Sequence, residues 1–224
     1  MSKVVSIIVP TRNNLEFTIR CIKSLYETTN LDLFDLFVVD NNSQDGTVSY
    51  LKELEKKYLN FYLVSNQGNK GFAGAINQGI YDSDGKYVSF LNNDTVLTFN
   101  WLPRLLDCLE NSNQILNLTK IGLVGPVSNL VAGRQLVSKS DRAIDNLEAF
   151  SKQYYLQNHQ HWLHAGFLSF FCCLIKREVI EEVGLLDERF WPGGFEDNDY
   201  ILRAEAKGWK SVIAGDTFVY HFGH

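Results

Sequence analysis

Residues 90–97 read FLNNDTVL, and this stretch decides how the rest of the sequence is interpreted. An apolar strand pattern ends here and is followed directly by Asn92, Asn93 and Asp94. Open α/β sheets bind their ligands just beyond the carboxyl ends of their strands. A carboxylate at such a place supplies the oxygen ligand that a hard divalent cation prefers. The stretch therefore predicts an α/β sheet with a metal-binding aspartate at one edge, and a metal at that edge favours an enzyme.

The sequence before this stretch alternates between strand and helix patterns. Two apolar runs, at 4–9 and 33–40, flank a segment at 15–26 whose apolar residues have helical spacing. This order predicts two parallel strands joined by a right-handed crossover. The elements that continue the alternation are helices at 46–58 and 73–81 and strands at 61–65 and 86–92. Such alternation predicts an α/β fold: a doubly wound, mostly parallel mixed sheet flanked by helices, in a single Rossmann-like domain.

The sequence after residue 97 predicts the remaining elements. Unbroken apolar and aromatic content at 167–175 predicts a fully buried strand, whereas 128–142 has loop composition. Gly184 and Gly208 are placed to close two helices. The other predicted elements are helices at 101–110, 144–155, 176–184 and 196–208 and strands at 121–126, 209–215 and 217–224. Because no repeat or low-complexity linker occurs, we predict one domain over residues 1–224.

The composition excludes several classes of protein. With 224 residues and 45% hydrophobic content, the chain can bury one substantial core without staples. Its four cysteines lie in apolar segments without CxxC spacing, which predicts reduced, buried thiols in a cytosolic protein. No apolar run approaches membrane length, so anchoring to a bilayer would need something outside this chain. A net charge of -5 without a basic cluster argues against nucleic acid as the main partner.

Two common phosphate-binding motifs are absent from the sequence. There is no GxxxxGK[ST], and PTRNN rather than GxGxxG follows the first strand, which disfavours a P-loop enzyme and a dinucleotide dehydrogenase. Asp40 ends the second strand, where it can bind a ligand or terminate the strand as an Asx turn. NKGFAGAINQG at 69–79 is a glycine-spaced turn that enters a helix. Such a turn offers helix N–H groups to phosphate, but the same pattern is typical of simple tight connections.

Six segments together resemble family 2 glycosyltransferases, in the order in which that family has them. They cover nearly the whole chain, and each falls at a predicted strand end or loop. The segments are VSIIVPTRN, FVVDNNSQDGT, NKGFAGAINQG, FLNNDTVL, GLLDERFWPGGFEDNDYILRAEAKGW and VYHFGH. The resemblance implies a GT-A fold, a nucleotide-diphosphate sugar donor and transfer with inversion at the anomeric carbon. It places a nucleotide-sugar-binding part at about 1–98 and an acceptor-side part at about 99–224, and relatives usually continue past this chain's end.

The resemblance assigns a donor pocket to residues that follow the predicted strands. The PTRN segment would wrap the nucleobase, and Asp40 would accept from a base N–H of uracil or thymine. Lys70 would meet the diphosphate, Asn77 would face the same pocket and Asn93 would contact the ribose. The whole predicted donor set is Pro10, Thr11, Arg12, Asn13, Asp40, Lys70, Gly71, Asn77 and Asn93.

The resemblance also implies a divalent cation. Asp94 would hold it between the two phosphates, and His221 would be its second protein ligand. Mg²⁺ or Mn²⁺ fits such a site, and the histidine favours Mn²⁺. The cation would stabilise the charge on the leaving nucleoside diphosphate as a Lewis acid. Asn92 and Asn93 stand where the family's usual motif has further aspartates, which predicts weaker metal binding than a paired carboxylate gives.

Inversion requires a base on the face of the sugar opposite the leaving diphosphate. The resemblance assigns this role to Asp197, which would take the proton of the acceptor hydroxyl. Trp191, Gly194 and Glu196 would lie on the acceptor side, with Trp191 able to stack on a sugar. Acidic residues in a first helical turn are also ordinary dipole partners, so a capping or structural role is favoured for Glu196 and Asp199.

Other candidate residues have simpler interpretations. Asp187 and Glu188 are expected to stabilise a turn, although their loop could instead contact the acceptor. The histidines in HQHWLH lack a supporting cysteine or carboxylate, so we interpret His159, His161 and His164 as surface residues. The default role of Trp101, Trp162 and Trp209 is core packing.

Three hypotheses for function follow. The first is an inverting, metal-dependent glycosyltransferase of surface polysaccharide or glycoconjugate synthesis, cytoplasmic or peripheral at the inner face of the membrane. Its acceptor would be a hydroxyl of a glycan, a lipid-linked glycan or a protein, shaped by 128–142 and 159–170. The second is a non-catalytic nucleotide-sugar-binding module of a larger assembly. The third, a nucleotidyltransferase, is disfavoured because PTRNN is not the glycine-rich, basic loop that it needs after the first strand.

Overall fold

The computed structural model describes residues 3–137 and 143–223, and the last residues of the predicted 128–142 loop lie outside this part. The described strands are β1 (Val5–Thr11), β2 (Phe34–Asp40), β3 (Phe61–Ser65), β4 (Tyr87–Leu91), β5 (Thr95–Val96), β6 (Ile121–Val127), β7 (Trp162–Ala165), β8 (Cys172–Lys176), β9 (Lys210–Phe218) and β10 (Tyr220–His221). The α-helices are α1 (Leu15–Thr28), α2 (Thr47–Lys57), α3 (Gly71–Tyr81), α4 (Trp101–Leu116), α5 (Leu147–Asn158), α6 (Arg177–Val183) and α7 (Glu196–Ala206). The predicted alternation up to β4 is confirmed element by element.

Eight of these strands form one mixed sheet in the order β3-β2-β1-β4-β8-β6-β9-β7. The first four are mutually parallel, and β6 and β9 are also parallel to each other. Strand β8 runs antiparallel to both of its neighbours, and β7 runs antiparallel to β9. The doubly wound, mostly parallel mixed sheet is therefore confirmed. A separate antiparallel pair, β5 with β10, lies beyond the end of β4.

Helices cover both faces of the sheet with apolar side chains. On one face, α1, α2 and α4 bury residues such as Leu51 and Trp101, and on the other α3, α6 and α7 bury Ile76 and Tyr200. Full burial of one such side chain stabilises the fold by about 1.5–3 kcal/mol. Helix α3 packs closely on β1, since a Cβ at Gly79 would come 2.4 Å from a methyl group of Ile8. This contact holds the C-terminal part of α3 against the middle of β1.

Four element predictions need correction. Strand β8 begins only at Cys172, because Leu168 and Phe170 are buried by a loop in the second core rather than by strand pairing. The histidine-rich segment contains the edge strand β7, whose Trp162 and Ala165 face the core. The two predicted final strands are one strand, β9, followed by β10. Strand β5 was not predicted, since its two residues carry too short a pattern.

The cysteine and tryptophan predictions are confirmed. All four cysteines are free and buried, and burial raises the pKa of Cys21 to about 12, so its thiol stays protonated. Trp101, Trp162 and Trp209 are buried, whereas Trp191 is 61% exposed. Within 3–137 and 143–223, the structure contains no helix with the length and apolarity needed to cross a membrane.

Candidate active site

The carboxyl ends of β1, β2 and β4 lie side by side and place the predicted donor residues at one edge of the sheet. Thr11 pairs with Asp40 across β1 and β2, and β4 leads from the other side of β1 into residues 92–94. A cavity of about 260 Å³ opens at this edge. It is lined by Pro10, Thr11, Arg12, Asn14, Asn41, Asn69, Gly71, Phe72, Asn92, Asn93, Asp94 and Pro192. Five predicted donor residues and the predicted metal-binding aspartate therefore share one cavity.

Asp94 and His221 come together through the small β5–β10 sheet. His221 pairs with Thr95, and the amide of Phe222 donates to the backbone carbonyl of Asp94 at 2.9 Å. This pairing brings His221 Nε2 to 3.2 Å from Asp94 Oδ1, with both side chains largely buried. One carboxylate oxygen and one imidazole nitrogen beside an open cavity fit Mn²⁺ or Mg²⁺, with ligand oxygens completing the shell.

The environment of His221 controls its proton. Nδ1 lies 2.8 Å from the carbonyl of Leu130, and the ring stacks on Phe171 with centroids 5.0 Å apart. Burial by itself lowers the pKa of His221, but the hydrogen bond and charge of Asp94 and the Leu130 carbonyl outweigh it, so the pKa is raised. Because Nδ1 donates to Leu130, Nε2 carries the lone pair in the neutral ring and faces Asp94. A metal bound there would displace a proton.

Asn129 binds the backbone of His221 through both its amide N and O atoms, and no sequence pattern indicates this role. Its Oδ1 accepts from the His221 amide at 2.8 Å, and its Nδ2 donates to the His221 carbonyl at 2.9 Å. This residue lies in the loop after β6, a segment whose composition shows only that it is a loop. Asn129 thus positions the imidazole that we assign to the metal.

We expect Asn129→Ala to weaken Mn²⁺ binding about 10-fold, because outer partners of a metal ligand carry effects of this size. The measurement is calorimetric titration of Mn²⁺ in the presence of excess UDP. Asn113→Ala, which changes an exposed asparagine on α4, is the matched control and should leave the affinity unchanged. An unaltered affinity in a folded Asn129→Ala protein would contradict the positioning role.

Asn93 belongs to a hydroxyl cluster at the floor of the cavity. Its Nδ2 donates to Thr11 Oγ1 at 3.1 Å and to Thr18 Oγ1 at 2.9 Å, and these two hydroxyls lie 3.0 Å apart. With both N–H groups used inside the protein, only its carbonyl oxygen is left to meet a ligand hydroxyl. The predicted ribose contact therefore has a specific polarity: Asn93 accepts and the ribose donates.

Asp40 makes the predicted local turn but is not among the residues that line the cavity, and its contact with a base stays a prediction. Its Oδ2 accepts from the amide of Ser43 at 3.0 Å, which is the local turn, while the residue is 1% exposed. Its Oδ1 is also buried and has no hydrogen-bond partner among the residues that the structure describes. A buried carboxylate oxygen without a donor is costly, and a base N–H that entered here would satisfy it.

The other residues of the predicted base-binding segment are placed differently from one another. Arg12 is exposed at the cavity rim. Asn13 ties the end of β1 to the loop after β2: its amide donates to Ser43 Oγ at 2.7 Å, and its Oδ1 accepts from the Gln44 amide at 2.7 Å. Asn13 therefore shapes the loops around the base, and its predicted direct contact with the base stays a prediction.

The glycine-spaced turn at the start of α3 is a tight connection. Its backbone amides donate hydrogen bonds to other groups of the protein. The Gly71 amide donates to Asn69 Oδ1 at 2.9 Å, and the Phe72 amide donates to the carbonyl of Pro192 at 2.9 Å. Gly71 has a φ of +74°, and a Cβ there would come 2.8 Å from Trp191. The helix-terminus interpretation for phosphate is thus not favoured here, whereas Lys70 is exposed at the start of α3 and its contact with the diphosphate stays a prediction.

Asn77 was predicted to face the donor pocket, but its side chain bonds the segment 186–188. It is buried, and its Oδ1 accepts from the amide of Leu186 at 3.0 Å. Its Nδ2 donates to the carbonyl of Leu186 at 2.9 Å and to Glu188 Oε1 at 3.0 Å. Because these bonds use both of its donors, the amide of Asn77 is committed to the segment 186–188 and not to the donor pocket.

Asp197 lies in the first turn of α7, which follows the cavity-lining Pro192 by a few residues. Its Oδ1 accepts from the amide of Asn198 at 2.8 Å. Burial raises its pKa, although amide donors from Asn198 and Phe170 oppose this. A raised pKa strengthens a carboxylate as a proton acceptor.

The loop before α7 exposes two large aromatic side chains, Trp191 and Phe195. Trp191 is 61% exposed, and Phe195, which was not singled out in the sequence, is 73% exposed with a φ of +69°. Gly194 also has a positive φ, and its amide donates to the carboxylate of the buried Glu196. Burial raises the pKa of Glu196. Glu196 thus closes the loop locally, in agreement with its capping interpretation.

The simpler interpretations of Asp187, Asp199 and the three histidines are confirmed, whereas Glu188 accepts a hydrogen bond from Asn77. Asp187 accepts from the amide of Arg189 at 3.0 Å and caps a short 3-10 turn, and Asp199 pairs with Arg203 at 2.8 Å on α7. The histidines of HQHWLH are exposed. In the described ranges no group of three or more His, Cys, Asp or Glu side chains is placed to hold a metal.

The fold places a cavity at the carboxyl ends of an α/β sheet, where ligands of such sheets bind, with Asp94 and His221 together beside it. The chain belongs to glycosyl transferase family 2, whose sequence model matches residues 6–184. It is 24% identical over 218 residues to glycosyltransferase AglE of Haloferax volcanii, a match that covers 97% of this chain and 66% of that protein.

Two solved structures share the fold. The mannosyltransferase PcManGT from Pyrobaculum calidifontis, in complex with GDP-Man and Mn²⁺, gives a TM-score of 0.67 at 21% identity, over 99% of this chain and 57% of that one. GalNAc-T7 with UDP, GalNAc and Mn²⁺ gives a TM-score of 0.73 at 14% identity, over 98% of this chain and 44% of that one. The GT-A fold is thereby established. This chain spans 66% or less of the length of each of these relatives.

Proposed function

We propose that this protein transfers a sugar, with inversion, from a nucleotide-diphosphate sugar to an acceptor hydroxyl, and that it uses Mn²⁺ or Mg²⁺. The observation that carries the proposal is the Asp94–His221 pair, 3.2 Å apart beside a cavity at the carboxyl ends of the parallel strands. Family membership supports the reaction class, and the relatives solved with Mn²⁺ support the cation.

Different residues would bind the base, the ribose and the diphosphate of the donor. Asp40 offers its unpartnered Oδ1 to a base N–H, and the carbonyl of Asn93 accepts from a ribose hydroxyl. Asp94 and His221 would hold the cation. When bound, it supplies Lewis-acid stabilisation to the charge that develops on the diphosphate. Arg12 and Lys70, both exposed at this edge, add positive charge where the diphosphate would lie.

Asp197 would act on the acceptor. The acceptor oxygen forms its bond to the anomeric carbon as the bond from that carbon to the diphosphate oxygen breaks, and the electron pair leaves with the nucleoside diphosphate. The proton of the acceptor hydroxyl passes to the Asp197 carboxylate, whose burial raises its pKa. Attack from the face opposite the leaving group inverts the anomeric centre.

We expect a nucleotide-sugar panel to identify the donor. Melting temperatures are measured with UDP-glucose, UDP-N-acetylglucosamine, dTDP-rhamnose and GDP-mannose, each with Mn²⁺ and with EDTA. A ligand at 100 times its Kd stabilises a protein by about 2.7 kcal/mol, which gives a clear shift. We expect a uridine or thymidine sugar to stabilise the protein only with Mn²⁺, and the same donor to be hydrolysed slowly with water as acceptor.

Two outcomes would contradict this expectation. Metal-dependent stabilisation without release of free sugar, even over long incubation, would indicate a binding module rather than a transferase. Stabilisation by GDP-mannose alone would contradict the predicted pairing of Asp40 with uracil or thymine.

A further inference from the structure

The loop of residues 186–195, here named the acceptor loop, joins α6 to α7 and ends just before Asp197. One wall of the donor cavity belongs to it, since Pro192 lines that cavity together with Gly71 and Phe72 of α3. The acceptor loop therefore touches both halves of the proposed reaction. Any residue that fixes its position also fixes the approach of Asp197 to the donor.

We propose that Asn77 is a positioning residue that holds the acceptor loop, and with it Asp197, in place for turnover. This inference rests on the proposed transferase function. It gives Asn77 an effect on the rate of the reaction rather than on the binding of the donor.

The hydrogen bonds of Asn77 are the first support. Its amide bonds the peptide of Leu186 in both directions, at 3.0 and 2.9 Å, and also donates to Glu188 Oε1 at 3.0 Å. A side-chain amide supplies one acceptor and two donors, which is what these three bonds require. An aspartate could keep the bond from the Leu186 amide but not the two bonds that Asn77 donates.

The second support is a further row of contacts between the acceptor loop and the start of α3. The Phe72 amide donates to the Pro192 carbonyl at 2.9 Å, and Trp191 Nε1 lies 3.4 Å from the carbonyl of Asn69. Gly71 lets this approach happen, since a Cβ there would come 2.8 Å from Trp191. Asn77 holds the beginning of the loop and Phe72 its later part, so α3 fixes the loop at two points.

The third support is that the hydrogen bonds of Asn77 lie apart from the proposed donor-binding residues. Asn77 is 6% exposed, and Glu188 covers it from the exposed side. Loss of the anchor would let the loop shift while leaving Asp40, Asn93 and Asp94 untouched on the other strands. A misplacement of about 1 Å can lower a rate about 100-fold, whereas Pro192, which the loop contributes to the donor cavity, keeps its separate bond to the Phe72 amide.

The test compares four proteins by steady-state hydrolysis of the donor identified with Mn²⁺, and by their melting temperatures. Asn77→Asp should lower kcat about 10- to 100-fold. Its KM for the donor should stay within about twofold, because the Phe72 amide still holds the carbonyl of Pro192 at the cavity wall. Glu188→Ala, which removes one bond at an exposed position, should lower kcat about fivefold. Glu188→Gln keeps an acceptor oxygen and should restore wild-type turnover.

Several results would overturn the inference. A raised donor KM with unchanged kcat in Asn77→Asp would make Asn77 a donor-binding residue. Wild-type kcat in Glu188→Ala, with Asn77→Asp either unaltered or unable to fold, would leave Asn77 a purely structural role. Failure of the proposed function looks different, because the wild-type protein itself would then hydrolyse no nucleotide sugar.

Discussion

Asp197→Asn is expected to abolish sugar transfer while leaving donor binding intact. The amide cannot take the proton of the acceptor hydroxyl, and loss of a general base costs roughly 10²–10⁴-fold in rate. The side chain keeps its size, and an amide oxygen can still accept from the Asn198 amide that now bonds Asp197 at 2.8 Å. The measurement is kcat for donor hydrolysis with Mn²⁺, together with the donor Kd from calorimetry.

Asp199→Asn is the matched control for this variant. It makes the same chemical change in the same helical turn, at a residue whose carboxylate pairs with Arg203. We expect turnover close to wild type there, since an amide oxygen can still accept from the guanidinium. Full activity in Asp197→Asn, or equal losses in the two variants, would reject Asp197 as the base.

Asp94→Asn is expected to remove both metal binding and turnover. Asp94 is proposed to ligate the cation and faces His221 Nε2 at 3.2 Å, and a neutral amide in its place would lack the negative charge that both interactions need. The loss should exceed the roughly 10- to 100-fold that outer partners of a metal site contribute. Calorimetric titration with Mn²⁺ and UDP measures it, and donor hydrolysis reports the accompanying loss of rate.

The pH dependence of Mn²⁺ binding gives this prediction a second readout. Asp94 raises the pKa of His221, and the metal needs the neutral imidazole, so wild-type affinity should fall as pH drops through that raised pKa. For the metal-free protein the sign is opposite. A raised His pKa stabilises the fold below the unfolded value of about 6.5, and this stability is lost as pH rises through the folded value. Asp94→Asn should remove that contribution, and an unchanged pH profile would contradict the pairing.

Local patterns were sufficient to predict most of the fold. The alternation of apolar runs with helical spacing gave β1 to β4 and their helices, because strand and helix periods are written in neighbouring residues. The prediction was wrong where the extent of a strand depends on pairing with a remote strand and not on neighbouring residues. The apolar segment at 167–175 reads as one strand, yet only its second part pairs with β4 and β6. Strand β7 depends on β9 for its existence, so its four residues gave no signal of their own.

The candidate site was predictable where it lies at strand ends. Thr11, Asn93 and Asp94 follow β1 and β4, and the parallel arrangement of these strands alone brings them to one edge. The placement of Asn77 was not predictable in this way. Its partners are Leu186 and Glu188, and which loop packs on α3 is settled only when the whole chain has folded.

The sequence by itself determined the sheet, the polar residues at its carboxyl edge and the family, since each of these depends on short segments in a fixed order. Only the tertiary structure decided the contacts between remote segments. Pairing of β5 with β10 sets His221 against Asp94, Asn129 holds that histidine, and Asn77 fastens the acceptor loop. These contacts join residues far apart in the chain. They are fixed by strand order and loop closure, which no local pattern of side chains encodes.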